Sequence, residues 1–182
     1  MIASPEALQI QGPRDDIIWN MPGYAFIKGE APASVNPSLW RQATLNNIHG
    51  LFEVTEGIYQ LRGFDLSNMS LIRGKRGWIV VDPLTTRETA SAAMQFAREH
   101  IGNDPVTAVI FTHSHIDHFG GVLGVVGASE LQARIADGLQ IIAPEGFMEE
   151  ATSENVMAGT TMSRRSMIMC GRPLERSPRR DV

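Results

Sequence analysis

One cysteine, Cys170, is all that the 182 residues contain. A lone thiol cannot close an intramolecular disulfide, so the chain carries no mark of an oxidising compartment. It also excludes the thiolate-rich zinc sites that hold small domains together. Long apolar runs are missing as well: no stretch approaches the roughly eighteen residues that a membrane span needs. The N-terminus sets Pro5, Glu6 and Gln9 where a signal peptide would place a basic and then an apolar segment, so no targeting signal is read and the compartment stays unassigned. Positive charge is short too. Lys and Arg number 16 against 20 Asp and Glu, a net charge of −4, which makes no electrostatic case for nucleic acid. Six arginines, Arg164, Arg165, Arg172, Arg176, Arg179 and Arg180, crowd the C-terminal end. Pro173 and Pro178 break any helix there, and residues 167–182 read as a disordered polar tail.

What remains is ordinary for a globular chain: 43% hydrophobic and 20% charged residues, in a length that suits one domain. Residues 1–50 are rich in Pro, Gly and polar side chains and show little periodicity, so they read as an arm wrapping a domain. Phe52–Val54 and Ile58–Leu61 read as strands around the turn Thr55-Glu56-Gly57. Met69–Ile72 and Trp78–Val81 make a second hairpin through Gly74-Lys75-Arg76-Gly77, closed by Asp82-Pro83. From Thr86 to His100, Ala90, Ala93, Met94 and Ala97 fall at helical spacing, with Thr85 or Thr86 able to cap the start. Val106–Phe111 is a buried strand, Glu130–Ala136 a short helix, Gln140–Ala143 another strand, and 145–169 a helical stretch broken at Gly159.

The chemistry is concentrated in Thr112-His113-Ser114-His115-Ile116-Asp117-His118-Phe119-Gly120-Gly121. Three imidazoles and a carboxylate in six residues suit a divalent metal such as zinc. They follow directly on a buried strand, where α/β sheets place their chemistry. In an extended segment, residues two apart project to one side, so His113 and His115 can grip one metal. Asp117 and His118 follow across a turn and can hold a second. Gly120 and Gly121 are read as letting the backbone turn tightly beside the metal. His49 and His100 lie in other segments and are read as surface or capping residues. Ser67 and Asn68 precede a strand, and turn formation accounts for them as well as a place in the cleft does. Met157, Met162, Met167 and Met169 read as core filling.

The run is similar to the HxHxDH signature of the metallo-β-lactamase superfamily. Five further blocks narrow the match: Val35–Gln42, Asn47–Phe52, Gly63–Met69, Gly77–Pro83 and Ser153–Val156 look like the linear alkyl sulfatases of that superfamily. The resemblance runs from about Tyr24 to about Arg165. It implies an α/β (α+β) fold, the αββα sandwich, with only the first half present here: strand pairs followed by alternating helix and strand. The implied division is an arm (1–50), a partial metallo-β-lactamase domain (51–166) and the divergent tail (167–182).

The resemblance also implies a zinc-dependent hydrolysis of alkyl sulfate esters such as dodecyl sulfate, with two zinc ions per site. His113 and His115 would be ligands of the first, Asp117 and His118 of the second, with Asp117 also orienting the attacking water. Asp82 would support the metal loop from behind, against an alternative as a strand-end turn residue. Glu154 and Asn155 sit in a family block with no role beyond capping or packing. Family members are several times longer and carry two more glutamates and a histidine of the metal site, and a dimerisation segment, past the point where this sequence ends. Two competing expectations follow: another hydrolase of the superfamily, or a non-catalytic fragment of the fold.

Overall fold

A computed structural model describes residues 1–161 and Arg164. Methionines 162, 167 and 169, Cys170, most of the arginine-rich tail and the end of the 145–169 helical stretch lie outside the described residues. Eight strands and five α-helices follow in the order β1 (Gln9–Gln11), β2 (Ile17–Asn20), α1 (Pro37–Asn46), β3 (Gly50–Thr55), β4 (Ile58–Arg62), β5 (Met69–Arg73), β6 (Trp78–Val81), α2 (Arg87–Ile101), β7 (Val106–Ile110), α3 (Val122–Val126), α4 (Leu131–Ala136), β8 (Gln140–Ile142) and α5 (Phe147–Thr152).

The six strands from β3 to β8 form one sheet in sequence order. β3 to β6 are antiparallel neighbours joined by short turns. β6, β7 and β8 run parallel, because helices intervene in both connections. Register sets the faces. Leu71, Val80 and Val109 stand in one row across β5, β6 and β7, and all three are fully buried. They pack under α2, whose Ala90, Ala93, Met94 and Ala97 form the apolar stripe expected from their spacing. α2 starts on a reciprocal cap: the Thr86 side chain accepts from the Thr89 backbone N–H, and the Thr89 side chain accepts from that of Thr86.

The opposite face carries Ile58, Ile72 and Ile79 in one row and Val81 and Ile110 in the next, all half-buried. Among the described residues no second sheet covers it. This is one half of an αββα sandwich: a sheet clad with helices on one side and apolar on the other. The first fifty residues hold more than the sequence suggested. β1 and β2 pair as a hairpin, α1 starts behind Asn36, whose side chain accepts from the Ser38 N–H, and Leu8, Ile10 and Met21 enter the core. Strands of three and four residues and an α1 without one buried side chain are too short or too polar to show a period.

Candidate metal centre

β6 and β7 are parallel neighbours, so their C-terminal ends meet at one edge of the sheet. Asp82 follows β6 and Thr112 follows β7, and the Asp82 N–H donates to the Ile110 carbonyl at 3.0 Å. This is where a parallel sheet gathers functional groups. Asp82 takes φ +56° and Leu84 φ +66°, left-handed conformations rare outside glycine that hold the chain in a sharp reversal on either side of Pro83. The reversal turns the Asp82 carboxylate, 8% exposed, under the loop that follows β7. Its Oδ1 accepts from the Thr112 N–H at 2.8 Å. Its Oδ2 accepts from the Thr112 hydroxyl at 2.7 Å and lies 2.8 Å from His118 Nδ1.

The proton positions follow from these partners. An ionised Asp82 only accepts, so Thr112 spends its one hydroxyl proton on Oδ2. The Thr112 oxygen, 2.9 Å from His113 Nδ1, must then accept from an Nδ1–H. A neutral His113 is therefore bare at Nε2. By the same reasoning the neutral His118 donates through Nδ1 to Asp82 and is bare at Nε2. The bare nitrogens face other ligand atoms. His113 Nε2 lies 3.0 Å from His115 Nδ1, and His118 Nε2 lies 3.3 Å from Asp117 Oδ2. Two donors bound to one tetrahedral zinc at 2.0–2.1 Å stand about 3.3 Å apart, so both pairs have the spacing of a coordination edge. The His113 ring also sits 4.1 Å, centroid to centroid, from the His118 ring, which brings the two pairs into one cluster. Among the described residues no group of three or more His, Cys, Asp and Glu side chains closes around one ion. The donor set fits zinc as two half-filled coordination spheres.

The loop itself is clamped from several sides. Ile116–His118 forms a single 3₁₀ turn, which carries Asp117 and His118 away from the extended His113–His115 segment. The Ser67 hydroxyl donates to the Asp117 carbonyl. Two residues before it, Asp65 ties this segment to the start of α2: its buried carboxylate accepts from Leu66 N–H (2.7 Å), Thr85 N–H (3.0 Å), Thr85 Oγ1 (2.7 Å) and Thr89 Oγ1 (2.5 Å). Ser67 thus does more than form a turn, whereas Asn68 lines a separate cleft of about 860 Å³ between α1 and the β3–β4 hairpin. Gly120 and Gly121 lie in a turn, as expected of them, and they also serve a close approach to another segment. Neither has a positive φ. A Cβ on Gly120 would stand 2.2 Å from the Thr85 carbonyl oxygen, and one on Gly121 2.2 Å from that of Pro83. Only glycine lets the chain cross this close to the start of α2.

The remaining candidates separate clearly. The His49 Nδ1 lies 3.0 Å from the Asn47 carbonyl, and the His100 Nδ1 lies 2.7 Å from that of Phe96, so both have one ring nitrogen engaged at home. Glu154 and Asn155, read from sequence as capping or packing, also reach the HxHxDH loop, while the Asn155 amide donates to the Ala151 carbonyl of its own helix at 2.8 Å. Glu154 Oε2 accepts from the Ser114 hydroxyl at 3.2 Å, and its Oε1 lies 3.3 Å from His115 Nε2. The Asn155 amide donates to the Ser114 carbonyl at 3.4 Å. Their position in the block Ser153–Val156 was the only sequence signal; forty residues separate them from the loop they touch.

Residues 62–158 match the metallo-beta-lactamase superfamily. The chain is 53% identical over 172 residues to a linear primary-alkylsulfatase from Pseudomonas sp., covering 93% of this chain and 25% of that protein. It is 48% identical over 164 residues to an alkyl/aryl-sulfatase from Saccharomyces cerevisiae, covering 90% of this chain and 25% of that one. Among solved structures, a stereoselective inverting sec-alkylsulfatase from Pseudomonas sp. superposes with a TM-score of 0.82 at 46% identity, over 91% of this chain and 26% of its own. The chain thus spans about a quarter of the length of the relatives it matches. With half a sandwich, the HxHxDH loop and these relatives in agreement, the chain belongs to the metallo-β-lactamase superfamily, and its likeness within it is to the alkylsulfatases.

Proposed function

We propose that this chain supplies one half of a two-zinc centre for the hydrolysis of alkyl sulfate esters. The observation that carries the proposal is the pair of electron-rich edges in the loop after β7. Bare His113 Nε2 faces His115 Nδ1 at 3.0 Å, and bare His118 Nε2 faces an Asp117 carboxylate oxygen at 3.3 Å. A proton shared within each pair closes it when no metal is bound, and a zinc ion can take that proton's place. His113 and His115 hold the first ion, Asp117 and His118 the second, and Asp82 fixes His118 through its other nitrogen. A bound zinc pair supplies charge neutralisation for an anionic ester and acidifies a water molecule. Asp117 accepts a hydrogen bond from the attacking water and aims it, since a carboxylate can serve as ligand and acceptor at once. The alkyl sulfate as substrate is supported by the relatives, three of which carry alkylsulfatase in their names.

Two ligands per ion leave each coordination sphere half-filled, because zinc takes four ligands, or three and a water. The chain therefore holds zinc loosely when alone. A second reading, a metal-binding fragment without turnover, is favoured by the uncovered face of Ile58, Ile72, Ile79, Val81 and Ile110. Elemental analysis of the gel-filtered protein, coupled to a dodecyl sulfate assay, decides between them. With zinc held at saturating concentration in every buffer, since the chain alone holds it loosely, about two zincs per chain with sulfate release is the expected result for the first reading. Zinc without sulfate release selects the second reading, and no zinc at all refutes the metal centre.

A further inference from the structure

We propose that Glu154 is a positioning residue that fixes the His115 ring with Nδ1 turned toward His113. The inference deepens the metal-centre reading above and rests on it for its functional meaning. His115 is the one histidine of the motif whose orienting partner does not come from β6, β7 or their loops. His113 is set by Thr112 and His118 by Asp82. His115 has a half-exposed side chain, 51%. A free ring could offer either nitrogen to a metal, or swing away from it.

Glu154 removes that freedom. Its Oε1 stands 3.3 Å from Nε2, while its Oε2 accepts from the hydroxyl of Ser114, the residue beside it. A carboxylate only accepts, so it calls for a proton on Nε2 and turns Nδ1 toward His113 Nε2, 3.0 Å away, the pair that a zinc ion would bridge. The carboxylate is itself placed by an unusual backbone. Ser153–Met157 forms a π-helical turn, with the Ala158 N–H donating to the Ser153 carbonyl at 2.9 Å. The wider turn brings consecutive side chains to the same loop segment. Glu154 reaches Ser114 and His115, and the Asn155 amide bridges the Ser114 carbonyl and its own Ala151 carbonyl at 3.4 and 2.8 Å. Such turns interrupt regular helices at some cost and concentrate at functional sites. A carboxylate behind a ligating imidazole orients the ring and raises its basicity, and its loss lowers metal affinity roughly 10- to 100-fold.

The test compares the full chain with Glu154→Ala and Glu154→Gln. The ring nitrogens of His115 are observed by long-range nitrogen NMR in metal-free protein, and zinc affinity by competition with a chelator. Wild type should show His115 protonated at Nε2. Glu154→Ala should show a mixture and bind zinc about tenfold more weakly. Glu154→Gln, which keeps an acceptor at the same reach, should retain the tautomer and lie within about threefold of wild type. Identical His115 nitrogen shifts in wild type and Glu154→Ala would overturn the inference. So would zinc binding that ignores the alanine while the fold is intact. A tautomer change with zinc bound by none of the three proteins would uphold the role of Glu154 and refute the metal centre instead.

Discussion

Asp82→Asn offers the sharpest perturbation of this site. Asparagine matches aspartate in shape and tolerates the left-handed φ of +56° at this position, so the backbone need not move. Its orientation is dictated. The carbonyl oxygen must take the place of Oδ1, because the Thr112 N–H points there from 2.8 Å. The amide nitrogen then occupies the Oδ2 position and donates to both former donors, Thr112 Oγ1 at 2.7 Å and His118 Nδ1 at 2.8 Å. His118 can accept only by carrying its proton on Nε2. The Thr112 hydroxyl, now an acceptor from the amide, turns its proton to His113 Nδ1, 2.9 Å away, and moves the His113 proton to Nε2 as well. One substitution thus blocks a ligand nitrogen in each half of the centre.

The two costs differ in size. Replacing charge-assisted hydrogen bonds by neutral ones loses about 1 kcal/mol each, partly offset by no longer burying a charge, so folding weakens by roughly 2 kcal/mol. For a chain of this length that is a drop of roughly 4–8 °C in melting temperature. Zinc affinity falls further, by roughly 10- to 100-fold, because both rings must change tautomer before they can bind. Urea unfolding gives the first quantity and chelator competition at fixed pH the second. Zinc affinity within about threefold of wild type, in a protein whose His113 and His118 keep Nε2 unprotonated, refutes the proton assignment made for this loop.

Gly121→Ala should destabilise the fold by about 3 kcal/mol in urea titration, since its Cβ would press on the Pro83 and Thr86 carbonyl oxygens at 2.2 and 2.6 Å, both backbone atoms that cannot step aside. Asp65→Ala strands the Leu66 and Thr85 N–H groups and the Thr85 hydroxyl, so a loss of about 3 kcal/mol is expected, together with faster amide exchange in the loop at Ser67. Saturating zinc should raise the melting temperature: at a free concentration a hundred times the dissociation constant the gain is about 2.7 kcal/mol, or roughly 5–10 °C, and a chelator should reverse it. A melting curve indifferent to zinc would count against the centre.

The HxHxDH loop and the sheet edge behind it were legible in the amino-acid sequence because both are local. A β-branched run of five residues makes a buried strand wherever it lies, and His113 and His115, two apart in an extended segment, meet on one side without help from the rest of the fold. The stripe Ala90, Ala93, Met94 and Ala97 declared α2 in the same way, and Thr86 its cap. Tertiary structure decided what these local pieces mean to one another. Which nitrogen of each histidine is bare depends on Asp82, Thr112 and Glu154, and the partners Asp82 and Glu154 lie 36 and 40 residues from the side chains they touch. Gly120 and Gly121 serve close approach to another backbone as well as the turn they sit in, a contact that sequence does not show. Glu154 joined the site only through a π-helical turn and the docking of that turn on the loop. Ligand identity belongs to the local sequence, whereas ligand orientation is a property of hydrogen bonds between segments that only folding brings within 3 Å or so of each other.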